Sequence, residues 1–270
     1  MWRPLICVIW VVLFATFASA QPGRVLVQST TSTQNSGLYD YLLPYFEAET
    51  GLLVAIVAVG TGQALRNARN GDADVLLVHS QTAEEAFVAD GYGLVRHPLM
   101  YNDFVVVGPK EDPLGLARQS SLARVMESIA KGNKKWISRG DESGTHAKER
   151  ELWKAAGLAT KAKPSNWYFE AGAGMGATLR LTVELNGYTL TDRATWTAFN
   201  GKRSHRIVWE GSPELINQYG IIAVNPDRFP HVNAQGAQDF LDWMLSPRGQ
   251  SLIAGFQVGG QQLFFPNASQ

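Results

Sequence analysis

One arginine, three hydroxyls and two glycines are gathered in the stretch Ser138-Arg139-Gly140-Asp141-Glu142-Ser143-Gly144-Thr145-His146. A strand-like run at 135–137 precedes it and a helix-like run to Trp153 follows. Amides at the start of a helix lack intrahelical partners and carry partial positive charge. Hydroxyls and a guanidinium placed there hold an oxyanion. Two more turns have a similar make-up: Ser29-Thr30-Thr31-Ser32-Thr33 and Gly60-Thr61-Gly62. Each follows an apolar run and precedes a helical one, so the three are expected to converge on one small anion.

Each of these residues also has a plainer reading. Serine and threonine are favoured helix N-caps, but one cap needs one hydroxyl, and Thr30, Thr31, Ser32 and Thr33 are consecutive. They are therefore candidates for anion contact, with capping as the alternative. Gly-x-Gly turns such as 60–62 are common, and Thr61 becomes a candidate only beside the other two turns. Arg139 could form a surface ion pair with Asp141 or Glu142, which would contribute little; beside Ser143, Gly144 and Thr145 at a helix start it reads as a ligand-binding cation. A carboxylate facing a dianion would repel it, so Asp141 is expected to hold the guanidinium in orientation. His146 is expected to be structural.

Motifs for other chemistry are missing. Gly-Asp-Glu-Ser-Gly is not Gly-x-Ser-x-Gly. Gly172 to Ala177 reads G-A-G-M-G-A, which is not a dinucleotide fingerprint. The five histidines (His79, His97, His146, His205, His231) lack metal-ligand spacing. Neither a catalytic residue nor a metal cation site is expected.

The elements that must position the three turns alternate along the chain. Strands are expected at 25–28, 54–59, 75–78, 104–107, 136–137, 167–169, 207–209 and 219–224. Helices are expected at 38–46, 63–70, 84–90, 122–130, 145–156, from the glycine-rich turn at 172–176 through 185, at 234–245 and to 254. Pro44 should kink or split the first helix. This pattern is an α/β fold with a parallel sheet. The economical arrangement is two lobes joined by crossing strands at 104–107 and 221–224, with lobe 1 at 21–104 plus 221–270 and lobe 2 at 105–220. All three turns then lie at the carboxyl ends of strands, where ligands of open α/β sheets bind, in an inter-lobe cleft.

Residues 1–20 read as a targeting segment: Arg3, an apolar run at 5–17, and Ala18-Ser19-Ala20 as the cleavage site. Cys7 is the single cysteine and lies in that run, so the expected mature chain has no thiol. Basic and acidic residues number 24 each, which makes nucleic acid and anionic membrane poor partners.

The segments S-R-G-D-E-S-G-T-H, T-T-S-T-Q-N-S-G-L, V-G-T-G-Q-A-L, G-D-A-D-V-L-L-V-H and Y-N-D-F-V-V-V-G-P together resemble those of the periplasmic tungstate-binding proteins of Tup-type ABC transporters. The resemblance runs from about residue 27 to 265. It implies a two-lobed type II periplasmic binding fold and oxyanion contacts from Thr30, Thr31, Ser32, Thr61, Arg139, Ser143, Gly144 and Thr145. It further implies tungstate as ligand without a cofactor, an inner-membrane ABC permease as partner, and a monomer in the periplasm. Molybdate, sulfate and phosphate remain alternative ligands. A secreted phosphate-ester hydrolase and a secreted anion sensor remain alternatives of other classes.

Overall fold

The computed structural model describes residues 23–158 and 166–268; the expected targeting segment lies outside them. Aliphatic runs bounded by glycine and hydroxyl turns form β1 (Arg24–Thr30), β2 (Leu53–Val59) and β3 (Val75–Val78), separated by α1 (Thr31–Asn35), α2 (Leu38–Thr50) and α3 (Thr61–Arg69). After α4 (Gln81–Ala89) comes β4 (Gly93–Pro109), a strand of 17 residues. The middle of the chain holds α5 (Leu122–Lys131), β5 (Trp136–Ser138), α6 (Gly144–Ala155), β6 (Tyr168–Glu170), α7 (Met175–Glu184), β7 (Thr189–Asp192), α8 (Arg193–Ala198) and β8 (His205–Trp209). β9 (Ile216–Val224), α9 (Ala234–Leu245), α10 (Pro247–Gly255), β10 (Gln257–Val258), β11 (Gln261–Gln262) and β12 (Phe265–Pro266) complete it.

The fold is α/β and two-lobed. The main sheet runs β12-β4-β9-β3-β1-β2, with β7 and β8 also paired to β4. β1 pairs in parallel with β2 and β3, whereas β9 is antiparallel to β3 and β4. β4 is the strand that crosses between lobes. Up to Asp103 it pairs with β9; from Phe104 it pairs with β7 and then β8. The expected strand at 104–107 is therefore only its second half. Pro98 hides the rest, because proline within a run demotes a strand; the sheet accommodates it with a register shift between Pro98 and Met100.

The return crossing falls before β9. Ile216 already stands opposite Asp103, and all of β9 pairs with β3 and the first half of β4. The chain thus re-enters the first lobe at about 216, not at 221. Asn217 and Gln218 look like loop residues in the sequence, but Asn217 is buried and donates to Asn102 Oδ1 at 2.7 Å. Arg193 holds both crossings together: it donates to the Asp103 carboxylate at 2.7 and 2.6 Å and to Glu210 at 2.6 Å.

α2 is not split by Pro44. Its buried residues Leu38, Leu42 and Phe46 recur on one face against the core, while Pro44 sits on the exposed side. Packing along that stripe outweighs one lost backbone bond.

In the first lobe β3 is buried on both faces. Val75 and Leu77 join Phe46, Tyr219 and Phe240 on one face; Leu76 and Val78 join Ala64, Phe87 and Ile222 on the other. Such double coverage is why a parallel strand reads as a continuous apolar run. α9 returns to this lobe, where Phe240 meets Phe46 edge-on at 5.1 Å. The second lobe packs around Trp136 and Trp153, also edge-on at 5.1 Å.

Candidate functional site

Each hydroxyl-rich turn lies where a parallel strand gives way to a helix: β1 to α1, β2 to α3, and β5 to α6. In the first turn, Thr30 is the N-cap, its Oγ1 accepting from the Thr33 amide at 3.4 Å. Thr30 Oγ1 also bonds Ser32 Oγ at 3.2 Å and Thr33 Oγ1 at 2.7 Å. Ser29 Oγ donates to the Leu77 carbonyl at 2.9 Å and pairs with Tyr39 OH. Ser32 reaches furthest, with Oγ at 3.4 Å from His79 Nε2. Thr31 is half-buried at the first residue of α1. Capping therefore accounts for Thr30, while Ser32 is directed towards the lobe junction.

The loop after β5 is shaped by its own residues. Gly140 has φ +61, and a Cβ there would stand 2.7 Å from Glu170 Cβ. Asp141 Oδ1 accepts from the Ser143 amide at 3.2 Å; Oδ2 accepts from Arg139 Nε at 3.1 Å and also from Nη2. The guanidinium is thereby fixed in a site where Arg139 is only 4% exposed. Ser143 caps α6 by accepting from the His146 amide at 3.3 Å. His146 Nδ1 accepts from the Glu142 amide at 3.1 Å, so that nitrogen carries no proton and the ring serves the loop. Thr145 is buried in the first turn of α6. The glycine-rich turn before α7 packs from behind: the Ala173 amide donates to the Arg139 carbonyl at 3.3 Å.

The lobes meet where α3 and α6 begin. A Cβ on Gly60 would lie 3.9 Å from Ser143 Cα, and one on Gly62 would lie 3.3 Å from the Glu142 carbonyl. A Cβ on Gly144 would lie 2.7 Å from His79 Cε1, 2.8 Å from His79 Nδ1 and 3.0 Å from Thr61 Oγ1. Thr61 Oγ1 and His79 Nδ1 are both buried and lack a hydrogen-bond partner. Buried polar atoms left unpaired are costly and call for an explanation. A cavity of about 250 Å³ opens beside His79, lined also by Ser80, Gly144, Lys148, Asn217 and the carboxylates Glu85 and Glu151; Thr61 and Arg139 do not line it.

Sequence reasoning missed His79, Asn217, Tyr219 and Asp192. His79 follows the buried run at 75–78 and so obeys the same carboxyl-end rule that singled out the three turns; its signal was present. The others were not legible, because β9 and the start of α8 reach this place only through the sheet order. The His79 ring packs on Tyr219 at 4.8 Å between centroids. Asp192 caps α8, with Oδ1 accepting from the Thr195 amide at 2.8 Å and Oδ2 from Thr195 Oγ1 at 2.7 Å. Burial raises its pKa, against the Thr195 bonds and the charge of Arg139.

Burial, and then the nearby Arg139 charge, lower the His79 pKa from 6.5 to about 4, with Asn217 opposing. The folded imidazole stays neutral while the unfolded one takes up a proton below 6.5, so this contribution to stability is present above about 6.5 and is lost as pH falls towards 4. The full effect is on the order of 3 kcal/mol. The melting temperature of the ligand-free protein should fall over that range, and His79→Asn should remove part of the fall. Melting curves with the same pH slope in both proteins would contradict the assignment.

The PBP superfamily domain matches residues 17–248. The tungstate-binding protein TupA of Peptoclostridium acidaminophilum is 46% identical over 252 residues, covering 92% of this chain and 87% of that one. The solved structure of the tungstate-binding protein TupA from Desulfovibrio alaskensis G20 matches with a TM-score of 0.78 and 42% identity, over 92% of this chain and all of the other. A structure described as the tungstate ABC transporter from Geobacter sulfurreducens matches at 46% identity and a TM-score of 0.78, over 86% of this chain and 98% of that one. The chain belongs to the PBP superfamily and, within it, to the family of the TupA tungstate-binding proteins.

Proposed function

We propose that this protein is the receptor of an ABC importer, which captures tungstate between its lobes in the periplasm and delivers it to a membrane permease. The observation that carries this reading is the junction itself: a buried arginine, two helix N-termini and two unpaired buried polar atoms, Thr61 Oγ1 and His79 Nδ1, gathered from both lobes. Such a set supplies donors and one cation, which suits a fully deprotonated tetrahedral dianion. Phosphate at neutral pH still carries a proton and needs an acceptor. The carboxylates of Asp141 and Asp192 near Arg139 are already engaged on both oxygens. Molybdate and sulfate share the donor requirement and differ in size. No covalent chemistry is required, and the relatives named above are binding proteins. Export would follow cleavage after Ala20; among the described residues no helix is long and apolar enough to cross a membrane.

Calorimetry of the protein beginning at Gln21 against tungstate, molybdate, sulfate and phosphate tests the reading. Tungstate should bind tightly and phosphate weakly. Absence of a tungstate signal, or a preference for phosphate, would overturn it, and turnover of a phosphomonoester would move the protein to the enzymes. The contacts come from both lobes, so ligand should also favour the closed arrangement. X-ray scattering should show a smaller radius of gyration with tungstate, and melting should shift upward by mass action; an unchanged radius would confine the site to one lobe.

A further inference from the structure

His79 lies at the carboxyl end of β3, beside β1 in the register Val27↔Val75 and Gln28↔Leu76, so it emerges next to the hydroxyl turn that follows β1. It is 8% exposed. Tyr219 holds one side of its ring, and Ser32 Oγ is the partner of Nε2. Its other nitrogen, Nδ1, has no partner within hydrogen-bond distance, with the Asn217 side chain a further polar neighbour acting on the ring besides Ser32. That atom and the equally unpaired Thr61 Oγ1 flank one spot above Gly144, at 2.8 and 3.0 Å from where a Cβ would stand. The first amides of α6 start from the same spot. A histidine kept only for packing or for holding Ser32 does not need its second nitrogen aimed, unpaired, at the opposite lobe.

We propose that His79 is a ligand-contacting, specificity-determining residue whose Nδ1–H donates to the bound oxyanion together with Thr61 Oγ1 and the amides at the start of α6. This rests on the receptor reading above. In the proposed arrangement Ser32 Oγ, 3.4 Å from Nε2, is the donor to that nitrogen and the ring proton sits on Nδ1. The imidazole acts as a neutral donor. The charge of the dianion is met by Arg139 and the helix N-termini, while His79 adds a directed hydrogen bond without a second full cation. It therefore favours an oxygen that only accepts. An oxyanion presenting a proton at this position would find no acceptor for it on Nδ1–H, so that proton would go unpaired here.

The side-chain amide nitrogen of asparagine falls near the place of Nδ1, and that of glutamine near the place of Nε2. Calorimetry with sodium tungstate at pH 7.5 should show His79→Leu at least about tenfold weaker than wild type, as for one lost hydrogen bond to a charged group. His79→Asn should stay within about threefold of wild type, and His79→Gln should be as weak as the leucine variant. Nitrogen NMR of the wild-type imidazole should show the Nδ1–H tautomer, with that resonance moving when tungstate is added. A leucine variant that binds like wild type overturns the proposal. Rescue by glutamine and not by asparagine also overturns it, since the role would then run through Ser32. If the leucine variant fails to fold, the wild-type NMR titration decides alone, and an Nδ1 resonance indifferent to tungstate overturns the proposal. Wild-type protein that binds none of tungstate, molybdate or sulfate refutes the receptor reading and this proposal with it. Wild-type binding with an unaffected leucine variant refutes only the proposal.

Discussion

Arg139→Ala should weaken tungstate binding by a factor on the order of 30 or more, and Arg139→Lys should recover only part of the loss. Truncating one partner of a buried, hydrogen-bonded charge pair costs about 2–5 kcal/mol. Arg139 is 4% exposed and is held by Asp141 through Nε and Nη2. In the proposed site the part of the guanidinium not held by Asp141 makes the anion contact. Lysine gathers its donors on one nitrogen and cannot hold Asp141 with one planar edge while presenting two parallel N–H bonds to the anion. Alanine also leaves Asp141 without a counter-charge in a loop where its other oxygen accepts from the Ser143 amide, so the α6 entrance should loosen as well. Calorimetry measures both variants. A change below threefold would remove Arg139 from the site.

The second large effect concerns a residue with no side chain. Gly144→Ala should weaken tungstate binding at least about tenfold while leaving the ligand-free fold intact, as expected when a rigid contact must open in the bound state. Gly144 is the first residue of α6 and does not have a positive φ. Alanine there suits the helix and narrows the unfolded ensemble. The cost lies across the junction, where the added carbon would stand 2.7 Å from His79 Cε1 and 2.8 Å from Nδ1. Tyr219, packed against that ring at 4.8 Å between centroids, opposes its displacement. Closure should fail while each lobe stays folded. Gly174→Ala is the matched control: it precedes α7 as Gly144 opens α6, yet a Cβ there meets nothing within 4 Å. Calorimetry paired with ligand-free melting separates the outcomes. Equal binding by wild type and Gly144→Ala would mean that the lobes do not approach here when the anion is held.

What could be read along the chain was whatever neighbouring residues encode for one another. The buried run at 75–78 and the half-buried run at 54–59 are strands because their residues are apolar and rich in β-branched side chains. The loop from Ser138 to Thr145 shapes itself through Asp141, Ser143 and the positive φ of Gly140, all within a few positions. The helix of Leu38, Leu42 and Phe46 was visible in its spacing, but whether Pro44 breaks it depended on which side faced the core. The crossing strand was half hidden, since Pro98 argued against a strand that a register shift in the sheet allows. The entry of β9 at Ile216 was hidden too, because Asn217 becomes a strand residue only when Asn102 lies opposite to bond it. Tertiary structure alone decided that Gly144 would meet His79 and Thr61, and that Arg139 would sit within range of Asp192. Those contacts join residues from different strand ends and different lobes. They follow from sheet order and from where the chain crosses, and neither leaves a local periodicity or spacing in the sequence.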